Sequence, residues 1–177
     1  VIHSVGSGKT CLAVRCGSEF ARAGFRIVWV TQTSLKTQVL KNHVDEICNL
    51  LIQSEYQHRL WMYGQTVATT FINSVPKQTN FQSVISFLKN ELGMEWINLS
   101  YRQLSNALED EPKNKFGRFW RDQASLASIG DFYDPLRKTL LIIDEAHKMF
   151  TGTLDRTELP NVSIIKQRIQ NSYKMSG

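Results

Sequence analysis

The sequence predicts an α/β domain with a mostly parallel central sheet, and three observations carry that expectation. Short apolar runs alternate along the chain with stretches of helical spacing. A glycine-rich turn, Gly6-Ser7-Gly8-Lys9-Thr10, joins the first such run to the first such helix. The clearest apolar run, Leu140-Leu141-Ile142-Ile143, ends in two carboxylates, Asp144 and Glu145. At 177 residues, 42% of them hydrophobic and only four of them proline, the chain is long and apolar enough to bury a core, which excludes low-complexity and collagen-like architectures. No apolar run approaches the roughly 18 residues of a membrane span, so no membrane partner is expected.

Each element follows from local pattern. Val1 to Ser4 reads as a short strand. Lys9 to Ala23 places Leu12, Cys16 and Phe20 at i, i+4 and i+8 on one helical face, and Gly24 stands where a glycine stops a helix. Arg26 to Thr31 is β-branched and aromatic, a buried strand. Ser34 to Ile52 returns to helical spacing through Leu35, Val39, Val44, Ile47, Leu50 and Leu51, which completes a βαβα unit with a parallel pair. Gln53 to Leu92 is polar and aromatic by turns, contains Pro76, and has no longer periodicity than Phe81 to Leu92, which can form a helix. Residues 53–92 are therefore read as an insertion within a single domain spanning 1–177. Order resumes with a strand from Glu95 to Ser100 and a helix from Tyr101 to about Asp110. Glu111 to Gly117 reads as a loop on its turn residues, and Phe119 to Ile129 as a helix. Thr139 to Asp144 is the strongest buried strand, and Pro160 to Tyr173 is an amphipathic helix with Val162, Ile165 and Ile169 on one side.

Charge and cysteine content bound the partners. Twenty-one Lys and Arg against sixteen Asp and Glu leave a net charge of +5, which suits a polyanion but is common in proteins that bind none. Cys11, Cys16 and Cys48 are odd in number, and two fall in the first helix, so they read as small core residues in a reducing, intracellular setting. Val1 is not an initiator methionine and opens directly on a strand, so a piece of a longer protein is expected.

The glycine turn has the context of a phosphate loop. Its glycines let consecutive N–H groups, from about Val5 through Gly6, Ser7 and Gly8 to Thr10, converge on a phosphate, and the helix N-terminus adds partial positive charge. In such a loop Lys9 reaches the β- and γ-phosphates and the Thr10 hydroxyl ligates Mg²⁺. The full pattern has glycine at position 3, where this chain has His3. The second constellation is Asp144-Glu145-Ala146-His147 at the end of an aliphatic strand. Carboxylates there lie at the carboxyl edge of a parallel sheet, where ligands of open α/β sheets bind. Asp144 would hold Mg²⁺ and Glu145 would accept a proton from the water attacking the γ-phosphate.

Together these residues resemble the superfamily 2 helicases and translocases, with Gly6 to Thr10 as their motif I and Asp144-Glu145-Ala146-His147 as a DEAH-type motif II. Val30-Thr31-Gln32-Thr33-Ser34-Leu35-Lys36 looks like motif Ia, although Gln32 stands where many members have proline, and Leu99-Ser100-Tyr101-Arg102-Gln103-Leu104 looks like motif Ib. The resemblance implies nucleic-acid contacts from Thr31, Thr33, Ser34, Lys36, Ser100 and Arg102, and a role for His147 in linking the nucleotide site to a neighbouring lobe. The wording of the whole chain outside 53–92 is most similar to the helicases of nucleocytoplasmic large DNA viruses, in which His3 is usual. What this implies is a P-loop NTPase fold, the RecA-like three-layer ATP-binding lobe of an ATP- and Mg²⁺-dependent enzyme acting on DNA or RNA. It also implies a second RecA-like lobe in the full-length chain, an arginine finger on that lobe, and work with the viral transcription or genome-handling machinery in the virion or host cell.

Other readings of the same residues stand beside this one. A non-helicase P-loop ATPase would use Asp144 and Glu145 equally well, and a nucleotide-switched nucleic-acid-binding assembly subunit would keep the loop without needing turnover. Lys113, Lys115, Arg118 and Arg121 interleave with Phe116, Phe119 and Trp120, a mixture that suits single strands but equally describes a solvated loop and an amphipathic helix. Thr31 and Ser34 are also what a strand end and a helix N-cap look like.

Overall fold

The computed structural model describes residues 9–33, 49, 52–76, 81–93, 95–120 and 134–175. Two compact units share the chain, one formed by Val1–Ile27 with Thr37–Trp96, the other by Val28–Lys36 with Ile97–Gly177. The expected strand over Val1 to Ser4 lies outside the described residues, as does nearly all of the expected helix from Ser34 to Ile52.

In the first unit, α1 (Lys9–Arg22) ends as its sequence requires. Gly24 takes φ +82°, its N–H donates to the Ala21 carbonyl, and the Phe25 N–H donates to the Phe20 carbonyl, the paired bonds of a glycine-terminated helix. The buried face of α1 differs from the expected one. Leu12 and Phe20 are 45% and 41% exposed and Cys16 is exposed, whereas Gly17 and Ala21 are buried. The reason is close approach: a Cβ on Gly17 would lie 3.1 Å from the Trp96 ring, so the indole fills the space a larger helix residue would need. Cys16 is therefore not a core residue.

Residues 53–92 are more helical than their pattern suggested. α2 covers 52–63, α3 is Gln65–Ser74 and α4 is Phe81–Leu92. α4 is the helix that Phe81 to Leu92 suggested, whereas α2 is hidden in the sequence because it buries a charged residue: Glu55 is 3% exposed. Burial of a carboxylate is tolerated when it is paired. Arg59 Nε lies 2.7 Å and Arg22 Nε 3.4 Å from its oxygens, and the Arg59 guanidinium also stacks over Phe71.

The second unit holds the sheet from Val28 and Ile97 onward. β1 (Arg26–Thr31), β2 (Trp96–Ser100) and β3 (Thr139–Ile143) form an all-parallel sheet in the order β2-β1-β3. Central β1 is buried on both faces, as a parallel strand should be. β3, expected to be buried, is only half-buried along its length, because it is an edge of the described order. Val28, Val30 and Leu99 meet Leu104 and Leu108 of α5 (Tyr101–Leu108), together with Trp120 and Ile165, in one core. α5 starts on a capping box: the Ser100 hydroxyl accepts from the Gln103 N–H while the Gln103 side chain accepts from the Ser100 N–H.

A further helix, α6, covers 115–120 and so begins inside the stretch read as a loop. Asn114 starts it: its side-chain oxygen accepts from the Gly117 N–H at 2.9 Å, while its amide donates to the Gln103 carbonyl. The expected continuation to Ile129 lies outside the described residues. α7 (Val162–Met175) buries Ile165, but Ile169, expected on the same side, is 40% exposed. No helix among the described residues is long and apolar enough to cross a membrane.

Candidate functional site

Strand order locates the crevice. Both neighbours of β1 follow it in the chain, so the order reverses between β1 and β3, and the carboxyl ends of two such strands are where open parallel sheets bind ligands. Thr31 and Gln32 leave β1 there, and Asp144 and Glu145 leave β3. The Asp144 N–H still donates to the Val30 carbonyl at 2.9 Å, so the first carboxylate is rooted in the ladder. Glu145 then turns the chain with φ 49° and ψ 42°, a left-handed conformation that costs a non-glycine residue roughly 1–2 kcal/mol. A short 3-10 helix, Ala146–Met149, follows. Strain of this kind persists where surrounding contacts over-determine it, and it concentrates at functional sites.

Those contacts are visible. The Tyr101 hydroxyl donates to the Asp144 carbonyl at 2.7 Å, with the Glu145 carbonyl at 3.3 Å, and the Lys148 N–H donates to the Glu145 carbonyl at 2.9 Å. Burial first, then the negative charges of Asp144, Glu145 and Glu158, push the Tyr101 hydroxyl up to about 12, so it remains a donor at neutral pH. The Glu145 carboxylate is half-exposed and lies 3.3 Å from His147 Nδ1, itself well exposed. Around the β1 end, Lys148 Nζ donates to the Gln32 side-chain oxygen and the Gln32 amide donates to Glu158, both at 3.3 Å.

Of the residues expected to hold nucleotide, Val5, Gly6, Ser7 and Gly8 lie outside the described residues. Lys9 and Thr10 open α1 in the first unit. Asp144, Glu145 and His147 stand together in the second. Among the expected nucleic-acid contacts, Thr31 is 2% exposed and its hydroxyl has no partner among the described residues. Thr33 is exposed, and Ser34 and Lys36 lie outside the described residues. The Ser100 hydroxyl is engaged in its capping box, and exposed Arg102 donates to the Thr157 carbonyl at 2.9 Å. In the cationic aromatic stretch, Lys113 pairs with Glu109 at 2.9 Å and Lys115 lies over Phe116. Trp120 is 1% exposed and Phe116 packs on the core, so these two rings are not surface stacking platforms; Phe119, 39% exposed, is the accessible one.

Asp144 and Glu145, at the strand end, are oxygen donors of the type that Mg²⁺ takes. Mg²⁺ keeps several waters and takes only one or two protein carboxylates beside substrate phosphates. No cluster of three or more His, Cys, Asp or Glu of metal-holding geometry occurs among the described residues. Glu158 was not singled out from sequence, and Tyr101 and Gln32 were noted only within the stretches that resemble motifs Ib and Ia, with no contact assigned to either. A buried tyrosine does need a partner for its hydroxyl, but nothing in the local pattern says that the partner lies 43 positions away. Comparison with known proteins finds no matching family model, no matching curated protein and no matching solved structure.

Proposed function

We propose that this chain is the RecA-like ATP-binding lobe of a DEAH-type superfamily 2 helicase or translocase, coupling ATP hydrolysis to movement on DNA or RNA. The observation that carries the reading is the Asp144–Glu145 pair, presented through a left-handed turn at the carboxyl end of a parallel strand, where the strand order reverses. The Gly6 to Thr10 loop supports it from sequence.

In this reading Lys9 neutralises the β- and γ-phosphates, while Thr10 and Asp144 hold Mg²⁺, which screens phosphate charge when bound with ATP. Glu145 takes the proton from the attacking water, and its half-exposed position leaves it accessible to solvent. His147, 3.3 Å from that carboxylate, links the nucleotide site to the neighbouring lobe. A second lobe of the full-length protein supplies the cation that stabilises transition-state charge, worth about 10³ to 10⁵ in rate in P-loop enzymes. Viral transcription or genome handling is the setting that the sequence resemblance suggests.

ATP turnover by the full-length protein, measured with and without single-stranded DNA or RNA, tests this. The expected result is Mg²⁺-dependent hydrolysis that rises with nucleic acid. A protein that binds no ATP refutes the reading; one that binds ATP but never turns it over supports the switch alternative instead.

A further inference from the structure

We propose that Tyr101 is a positioning residue for the Asp144–Glu145 carboxylate pair, its hydroxyl holding the left-handed turn through which both side chains are presented. The inference rests on the ATPase reading for its catalytic consequence, but its geometry stands independently.

Asp144 and Glu145 leave β3 as the chain abandons the ladder: the Asp144 N–H is the last to reach β1, and Glu145 adopts φ 49°. A left-handed glutamate does not hold itself there, since the side chain gains nothing from the conformation. The Lys148 N–H fixes the carbonyl on the far side of the turn. Tyr101 fixes the near side, with its hydroxyl 2.7 Å from the Asp144 carbonyl and 3.3 Å from that of Glu145. One proton makes the shorter bond and leans toward the second carbonyl, so the peptide between the two carboxylates has its plane set by this hydroxyl.

Tyr101 can do this because its ring is buried and its backbone is fixed at a helix start. It is 1% exposed and is the first residue of α5, whose start is defined by the Ser100–Gln103 capping box. Displacement of the β2–α5 junction therefore moves the hydroxyl, and through it the carboxylates. The ring alone would pack equally well as phenylalanine; the oxygen is what the turn requires.

The test is Tyr101→Phe in the full-length protein, beside Ser105→Ala, which removes another buried hydroxyl of α5, one that among the described residues donates within the helix to the Arg102 carbonyl. With Tyr101→Phe, amide hydrogen exchange across residues 144–150 should accelerate by about tenfold. ATP turnover should lose about tenfold or more in kcat with KM for ATP little changed, and half-maximal rate should need more Mg²⁺. Ser105→Ala should show none of these changes. Exchange and kcat matching those of Ser105→Ala overturn the proposal. If the wild-type protein hydrolyses no ATP, the functional reading fails by itself, and the exchange rates decide the role of Tyr101.

Discussion

The hydroxyl of Tyr101 donates at 2.7 Å to the backbone carbonyl of Asp144, tying the first residue of α5 to the end of β3. The bond joins elements that follow two different strands of the same sheet, β2 and β3. At the end of β1, Gln32 bridges Lys148 and Glu158 through side-chain bonds.

Alkaline pH should expose the Tyr101 bond. The hydroxyl ionises near 10 in an unfolded chain and is pushed up to about 12 in the folded one, first by burial and then by Asp144, Glu145 and Glu158. Between those values the native state holds a proton that the unfolded state has lost, so this contribution to stability is complete below pH 10 and declines as pH rises toward 12. Urea unfolding from pH 8 to 11.5 should show a steeper decline for wild type than for Tyr101→Phe. Parallel curves would remove the buried-hydroxyl assignment.

Glu55 is predicted to stabilise the first unit through its two arginines. Glu55→Ala leaves the largely buried guanidiniums of Arg22 and Arg59 without their shared carboxylate, a loss of about 3 kcal/mol. Chemical denaturation should also show that Glu55→Ala costs much less once Arg59 is replaced by Leu, because the two residues act as a pair. Additive losses would mean that the contact contributes nothing.

Gly117→Ala should be severe for a single methyl. Its Cβ would lie 2.5 Å from the Ala107 carbonyl oxygen and from Pro112 Cβ, and neither a helix backbone nor a proline ring yields easily. Overpacking of this kind costs about 2–3 kcal/mol, or roughly 5–10 °C in Tm for a chain of this size. An unchanged Tm would show that α5 and α6 are not held this closely.

If the cationic stretch grips nucleic-acid phosphates, binding should fall steeply with salt and depend little on base sequence. Replacing Lys113, Lys115, Arg118 and Arg121 together should flatten the dependence of log affinity on log salt. With Trp120 buried and Lys113 already paired to Glu109, stacking should contribute only through Phe119. A salt slope unchanged in the variant assigns the four residues to a solvated surface.

What could be read from the sequence follows from what each residue must satisfy. β1 was legible to the residue because five of its six side chains are buried, leaving a continuous β-branched and aromatic run. The place of Asp144 and Glu145 at the end of β3 was legible because the four aliphatics before them read as a strand. The packing face of α1 was not, since Gly17 and Ala21 bury by being small, a property that hydrophobic periodicity does not register. α2 was hidden by Glu55, a core residue that reads as polar until Arg22 and Arg59 are seen beside it. The start of α6 depended on Asn114 acting as a cap, where its neighbours Pro112 and Gly117 suggested a loop. Tyr101 and Gln32 act through partners far along the chain, and only the folded sheet brings those together.

The most direct test of the central claim compares Lys9→Ala with Glu145→Gln in the full-length protein, measuring ATP-Mg²⁺ affinity and turnover separately. In the proposed reading Lys9→Ala should abolish tight nucleotide binding, because the Gly6 to Thr10 loop would lose its point charge. Glu145→Gln should bind ATP-Mg²⁺ as wild type does and lose about 10²- to 10⁴-fold in turnover, since only the attacking water is deprived of its base. Full hydrolysis by Glu145→Gln would contradict the account, because the carboxylate presented by the left-handed turn would then have no part in the chemistry.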